Sequence, residues 1–292
     1  MINVLRWTTS NYLPKDFRIK EQSVLKSLGK IHYCFTQEDI LPHYPVVLIS
    51  QSQTDFSKIP QSILNSCVLI IHPNSGYDNI PIDFPIPVIT GPEIRTCAVS
   101  EYILSCLFSW HSKIPFIPSN NPRWDFQRKF PRNLFSQKKG LLLGFGNIGK
   151  KIYQVLKTLN ANVDVSDPPQ GKAITFSPNY DYIIICMNLL KSNENYVGSY
   201  FFNKLPPHGC IINTSRGEVL DLDSLIPILK KNPQMHAFLD VFKTEPMDFK
   251  WIEELQNQHI FCSSHVAGVY NSIDDHIIDF IYDTLKEFLV DK

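Results

Sequence analysis

The chain has 292 residues, of which 43% are hydrophobic and 19% are charged. This length and composition predict a globular protein with room for two domains, each with a substantial core. Basic and acidic residues both number 28. This balance excludes a global charge that would attract nucleic acid, an anionic membrane or a highly charged substrate.

The amino terminus enters a predicted strand without a basic flank and apolar leader, and no stretch approaches about 18 consecutive apolar residues. The cytoplasm is therefore the expected location. The seven cysteines are scattered and never form a C-x-x-C pair. They are interpreted as reduced core residues rather than ligands, and no metal site is predicted.

Before residue 95, short apolar runs alternate with helical patterns. Such alternation is typical of parallel strands joined by helical crossovers, and it predicts a first, small α/β domain. The predicted strands are residues 3–7, 31–35, 46–50, 68–72 and 88–90, and the predicted helices are residues 17–28 and 57–65, with Pro60 in the first turn of the second helix.

A long apolar helix at residues 96–112 leads into a basic segment, residues 113–151, with nine basic residues, one acid and interspersed aromatics. Such a segment can bind single-stranded nucleic acid or form a solvated arm that packs on the protein or on a second subunit. The zero net charge favours the arm. Further strands at 182–187, 210–213, 236–239 and 259–262, separated by helical stretches, complete a doubly wound sheet. Residues 272–289 are predicted to form a terminal helix.

The stretch LLLGFGNIGKKI, residues 141–152, is an apolar run that stops at a G-x-G-x-x-G and continues in helical spacing. This order of strand, turn and helix is what dinucleotide binding requires. Gly144 permits the tight turn, Gly146 lets the backbone approach a pyrophosphate, and Gly149 lets the helix pack on the strand. The N–H groups of Asn147 and Ile148, at the start of the helix, are expected to face the phosphates.

The predicted strand at 162–166 ends at Asp167, 18 residues after Gly149. An acidic side chain at this place accepts hydrogen bonds from the adenosine ribose and repels a 2′-phosphate. The next basic residue is Lys172, beyond two prolines, so NAD is favoured over NADP. The alternative is that Asp167 only opens a turn before the prolines.

Three later strands end in polar groups. Arg216 follows strand 210–213, Asp240 and Glu245 follow strand 236–239, and His265 follows strand 259–262. In an open α/β sheet, ligands bind beyond the carboxyl ends of the strands. These side chains are therefore expected to converge. Taken singly, each has an ordinary structural explanation, as a strand-end turn, a helix cap or a loop.

Several motifs occur together in one order. They are S-G-Y-D-N at 75–79, A-V-S-E at 98–101, G-F-G-N-I-G at 144–149, Asp167, N-T-S-R-G at 213–217, L-D-V-F-K-T-E-P at 239–246 and S-S-H-V-A-G at 263–268. From about Val46 to Gly268 the chain resembles the NAD-dependent D-isomer-specific 2-hydroxyacid dehydrogenase family.

The resemblance implies an α/β fold of two domains, a Rossmann-like doubly wound parallel sheet inserted into a smaller flavodoxin-like α/β substrate domain. Residues 1–94 and 270–292 would form the substrate-binding domain, and residues 95–269 the NAD-binding domain. It also implies a cleft that closes on ligand, and a homodimer joined through the nucleotide domains.

The activity implied is reversible hydride transfer between NAD(H) and a small 2-oxo acid or D-2-hydroxy acid. His265 would be the acid/base, since an imidazole exists in both forms near neutral pH. Glu245 would hold the other ring nitrogen, and Arg216 would grip the substrate carboxylate with its planar fork. The backbone N–H groups of Ser75 and Gly76 would complete the carboxylate site. On the cofactor side the resemblance assigns Thr214 and Asp240, the latter to the nicotinamide carboxamide.

Two positions depart from the family pattern. Ser264 stands where a proline commonly precedes the histidine, and Asn-Leu-Leu at 188–190 stands where the family has Pro-Leu-Thr. The alternative functions are an NAD-sensing, corepressor-like binding protein and a phosphite dehydrogenase on the same scaffold. Formate oxidation is disfavoured because the related formate enzymes carry Gln at the position of Glu245.

Overall fold

The structure is a computed structural model that describes residues 1–76, 78–81, 84–112, 133–248, 250, 253 and 259–290. The chain divides into two compact units, Met1–Thr96 with Gly268–Lys292, and Cys97–Ala267. These boundaries lie two residues from those expected at 94/95 and 269/270. Residues 113–132, the larger part of the predicted basic arm, lie outside the described residues.

The helices and strands, in chain order, have the following bounds. The strands are β1 (Ile2–Arg6), β2 (Ile31–Cys34), β3 (Val46–Ile49), β4 (Cys67–His72), β5 (Val88–Thr90), β6 (Lys139–Leu143), β7 (Asn162–Ser166), β8 (Tyr182–Ile185), β9 (Cys210–Asn213), β10 (His236–Leu239) and β11 (Ile260–Cys262). The helices are α1 (Phe17–Leu25), α2 (Gln61–Ser66), α3 (Glu93–His111), α4 (Asn147–Thr158), α5 (Ser199–Phe202), α6 (Leu222–Lys231) and α7 (Ile273–Val290).

The first unit is a parallel five-stranded sheet in the order β2-β1-β3-β4-β5. Successive side chains of β1 point to opposite faces. Val4 packs with α1 and α7, through Phe17 and Ile277, while Leu5 packs with α2 through Ile63. Both faces are thus covered, which explains why the strands are continuous apolar runs. The order is that of flavodoxin-like sheets, as predicted.

The second unit is a parallel six-stranded sheet in the order β7-β6-β8-β9-β10-β11. Leu142 of β6 packs with Ile103 of α3 and Ile152 of α4 on one face. Leu141 packs in a cluster with Phe201 of α5 and Leu225 of α6 on the other face. Helices on both faces of a parallel sheet define the doubly wound class, so the predicted fold class is confirmed.

The segment between β7 and β8 is a tight turn followed by irregular chain. The described residues 167–181 hold only a short 3₁₀ turn, Pro168–Gln170, after which Gly171 adopts the left-handed conformation with φ 70°. Two prolines lack N–H groups and end the strand, and the glycine reverses the chain. The usual Rossmann order places another strand outside the second one. Here β7 is the edge of the sheet.

Two smaller expectations also differ. The second helix begins at Gln61, after a separate 3₁₀ turn at Phe56–Lys58, because the residue before Pro60 is extended (Ile59 ψ 123°). A proline disfavours helical conformation in the residue that precedes it. Cys97 is exposed, whereas the other cysteines are buried or half-buried; all seven are free thiols.

Within the described part of the chain, no helix combines the length and apolarity needed to cross a bilayer. Among the same residues, no three His, Cys, Asp or Glu side chains are grouped so that they could hold a metal ion.

Candidate active site

The glycine-rich loop joins β6 to α4, and each of its three glycines is suited to its position for a different physical reason. Gly144 has φ 99°, and a Cβ there would lie 2.5 Å from the carbonyl carbon of Cys186. A Cβ on Gly149 would lie 2.3 Å from the oxygen of Gly144, so this glycine permits close packing of helix on strand. A Cβ on Gly146 would meet nothing within 4 Å. The open space beside Gly146, before the amide groups of α4, fits a dinucleotide pyrophosphate.

Asp167 lies beside this loop. Its Oδ2 accepts a hydrogen bond from the N–H of Phe145 at 2.5 Å. Asp167 and Lys172 exchange backbone hydrogen bonds of 2.9 and 3.0 Å across the turn. The turn returns the Lys172 ammonium to the loop, 5.4 Å from the centroid of the Phe145 ring. A carboxylate and an ammonium therefore both flank the position expected for the adenosine ribose.

The segment after β9 is shaped by Asn213, whose side chain is fully buried. Its amide donates to the carbonyl of Arg216 at 3.1 Å, and its oxygen accepts from the N–H of Ser215 at 3.1 Å. A Cβ on Gly217 would lie 1.9 Å from the carbonyl carbon of Phe242. Only a glycine allows the loop carrying Arg216 to approach the segment after β10 this closely.

Glu245 and His265 form a hydrogen-bonded pair. Oε2 of Glu245 lies 2.9 Å from Nδ1 of His265, and Oε1 accepts from the N–H of Phe242 at 3.0 Å. The side chains are 38% and 44% exposed, so solvent reaches the pair. Nε2 of His265 has no hydrogen-bond partner among the described residues. A carboxylate has no proton to donate, so Nδ1 carries the proton in this pair.

Burial raises the pKa of Glu245, but other effects outweigh it. Hydrogen bonds from His265 and from the Phe242 N–H, with the positive charges of His265 and Arg216, hold the pKa of this carboxyl group below its usual value. Glu245 is therefore ionised at neutral pH. The positive charge of Arg216 thus acts on the carboxylate that faces His265.

His265 is held in an unusual backbone conformation with φ 56°. For a residue other than glycine, the left-handed conformation costs about 1–2 kcal/mol of conformational free energy. Asp240, 1% exposed, holds the turn in place. Its carbonyl accepts the His265 N–H at 2.8 Å, and its carboxylate accepts the N–H groups of Val266 and Ala267 at 2.9 Å each, as well as the hydroxyl of Ser263 at 2.5 Å.

The loop after β4 in the first unit is also tied down. Nε2 of the buried His72 lies 2.9 Å from the carbonyl oxygen of Gly76, and Nδ1 lies 2.8 Å from the Ser50 hydroxyl. The Ser75 hydroxyl donates to the carbonyl of Pro92 at 3.1 Å. The backbone at Ser75 and Gly76 is thereby held in one conformation.

The structure brings the predicted residues of the second unit to one edge of its sheet. The glycine loop, Thr214, Asp240 and His265 all follow the carboxyl ends of its strands. Sequence reasoning missed Asn213 and Gly217 as shaping residues, and it missed Ser263. All three residues lie inside the motifs quoted above, which could have marked them as candidates. The motifs did not show which groups they contact.

The fold and these side chains define a dinucleotide-binding α/β protein with a paired histidine and glutamate. Residues 118–267 match the sequence model of the D-isomer specific 2-hydroxyacid dehydrogenase NAD-binding domain. This match covers just over half of the chain. The chain therefore belongs to the D-isomer specific 2-hydroxyacid dehydrogenase family.

Curated relatives are similar at low identity. D-3-phosphoglycerate dehydrogenase of Synechocystis sp. is 24% identical over 259 residues, covering 81% of this chain and 46% of that protein. Erythronate-4-phosphate dehydrogenase of Blochmanniella floridana is 28% identical over 233 residues, covering 73% of this chain and 57% of that protein. The chain thus spans about half the length of these relatives.

Solved structures share the fold. Cofactor-bound 3-phosphoglycerate dehydrogenase of Entamoeba histolytica superposes with a TM-score of 0.69 at 19% identity, covering 99% of this chain and 95% of that one. At this identity the likeness is one of fold. NAD is the cofactor of the matched domain, and the three glycines and Asp167 fit it.

Proposed function

We propose that the protein catalyses reversible hydride transfer between NAD(H) and a small 2-oxo acid, giving the D-2-hydroxy acid. The observation that carries the proposal is the His265–Glu245 pair, at the same sheet edge as the glycine loop and with Nδ1 2.9 Å from the carboxylate. Membership of the family supports the reaction class.

His265 is proposed to act through Nε2. Nδ1 keeps its proton because it faces Glu245, so Nε2 is the nitrogen that exchanges a proton with substrate. In reduction the imidazolium donates this proton to the substrate carbonyl oxygen, and in oxidation the neutral ring removes the hydroxyl proton. Bound nicotinamide supplies or accepts the hydride. Glu245 keeps the ring oriented in both directions of the reaction.

Arg216 is proposed to bind the substrate carboxylate, since its guanidinium offers parallel N–H donors to two oxygens. The backbone N–H groups of Ser75 and Gly76 are proposed as further donors, supported by the hydrogen bonds that hold their loop. Thr214 and Asp240 are proposed to contact the cofactor. The Asp240 carboxylate has about four acceptor positions, of which three are used within the turn, so one remains for an amide N–H.

The first test is NADH oxidation followed by absorbance, with glyoxylate, hydroxypyruvate, pyruvate, phenylpyruvate and oxaloacetate. We expect at least one of these 2-oxo acids to be reduced, and its identity will begin to define the substrate. Tight NADH binding without turnover of any of them would contradict the enzymatic proposal and favour an NAD-sensing protein. Reduction of NAD in the presence of phosphite would instead favour the phosphite dehydrogenase alternative.

A second test concerns Asp167. We expect Asp167→Ala to weaken NADH binding and to strengthen NADPH binding, because the carboxylate no longer repels a 2′-phosphate while Lys172 still attracts it. Fluorescence titration of both cofactors measures the ratio of the two affinities. Adding Lys172→Ala should reverse the gain for NADPH. An unchanged NADH/NADPH ratio in the single variant would assign the discriminating charge to another residue.

A further inference from the structure

A line of three hydrogen-bonded side chains connects helix α3 to the turn that carries His265. The Tyr102 hydroxyl lies 2.6 Å from the Ser263 hydroxyl, which donates to Oδ1 of Asp240 at 2.5 Å. Tyr102 and Ser263 are 161 residues apart in the sequence. All three residues belong to the second unit.

The direction of these hydrogen bonds follows from counting protons. Both carboxylate oxygens of Asp240 already accept backbone N–H groups, so Ser263 donates its single proton to Asp240. Tyr102 is then the donor to Ser263. Burial raises the pKa of Tyr102 to about 12, so the phenol retains its proton at neutral pH. The order is Tyr102 to Ser263 to Asp240.

The same carboxylate fixes the backbone on the far side of the histidine. Asp240 binds Ser263 before His265, and Val266 and Ala267 after it. The Asp240 side chain therefore binds residues on both sides of His265, whose backbone is left-handed. Such a conformation persists only where the surroundings over-determine it.

We propose that Tyr102 is a positioning residue for the acid/base, acting through Ser263 and Asp240 to hold the turn that carries His265. The proposal rests on the proposed role of His265 in hydride transfer. Tyr102 itself touches neither substrate nor cofactor in this assignment. Without the Tyr102 hydroxyl, Ser263 loses the donor that orients it. The Asp240 carboxylate then holds the turn less firmly.

The experiment compares amide hydrogen exchange across residues 263–268 in the wild type and in Tyr102→Phe, both with NADH and no substrate. Loss of one hydrogen bond is expected to speed exchange by about three- to tenfold. Ser263→Ala should act similarly, and Ser263→Thr, which keeps a hydroxyl, should restore slow exchange.

Tyr180→Phe is the matched control. The Tyr180 hydroxyl, on a more deeply buried ring in the same unit, donates to Asp164 at 2.9 Å and has no part in the His265 turn. Exchange across residues 263–268 in Tyr180→Phe should equal that of the wild type. The proposal would be overturned if exchange across residues 263–268 were as slow in Tyr102→Phe as in the wild type and in Tyr180→Phe.

Catalysis provides the second readout. We expect Tyr102→Phe to lower kcat about tenfold, since small misplacement of a reacting group is costly, while the Kd for NADH stays within about twofold. Faster exchange with unchanged kcat would overturn the positioning role. If the wild type turns over no 2-oxo acid, the proposed function fails, and the exchange comparison still decides whether Tyr102 anchors the turn.

Discussion

Replacing His265 with alanine is expected to lower kcat by about 100- to 10,000-fold, the usual contribution of general acid–base catalysis. The variant lacks the imidazole that is proposed to give a proton to the substrate carbonyl oxygen and to take one from the hydroxyl. The Kd for NADH should change little, because the glycine loop and Asp167 lie on other segments of the sheet edge. Steady-state kinetics and a fluorescence titration of NADH measure the two quantities.

His32→Ala is the control for the loss of an imidazole. His32 lies in the first unit, where its ring contacts the carbonyl of Asp39 at 2.8 Å. This variant should retain wild-type kcat. A His265→Ala protein that no longer binds NADH would contradict the assignment, since the loss of activity would then come from the cofactor site. Turnover that survives in His265→Ala would assign the proton transfer to another group.

Replacing Arg216 with alanine is expected to reduce kcat/KM for the 2-oxo acid by about 30- to 1,000-fold. Removing one partner of a hydrogen-bonded charge pair costs roughly 2–4 kcal/mol. The effect should fall mainly on KM, since the proposed partner of the guanidinium is a carboxylate that the reaction leaves unchanged. A smaller effect on kcat is expected because the charge of Arg216 also acts on Glu245.

Arg216→Lys separates charge from geometry. Lysine keeps the positive charge but lacks the planar fork, so its kcat/KM should lie between the wild type and Arg216→Ala. The Kd for NADH should be similar in all three proteins. An unchanged KM in Arg216→Ala would show that the substrate carboxylate binds elsewhere, with the loop at Ser75 and Gly76 as the next site to test.

The predicted strands of both units match the structure to within a few residues, because continuous apolar runs between turn residues describe strands covered on both faces. The failures lie where local chemistry competes with the pattern. Pro60 delays the start of α2, and the prolines after Asp167 end β7 in a tight turn. That turn brings Lys172 back to the glycine loop, which its distance along the sequence had concealed.

In the candidate site, too, some features could be predicted from the sequence and others could not. The turn at Gly144 and the close packing at Gly149 were readable from spacing, because both are made by neighbouring residues. The approach of Gly146 to a phosphate stays a prediction. Asp240 was assigned only to the cofactor. In the structure most of its acceptor capacity holds the turn at His265, so its contact with the cofactor stays a prediction.

The sequence by itself determined the fold class, the family and the residue types available for chemistry, since periodicity and motif order are properties of contiguous residues. Tertiary structure alone decided which of them meet. Strand order sets β9, β10 and β11 side by side, so that Glu245 reaches Nδ1 of His265. Tyr102 reaches Ser263 because α3 packs on that face of the sheet. Contacts between distant segments depend on packing and register, which no local pattern encodes.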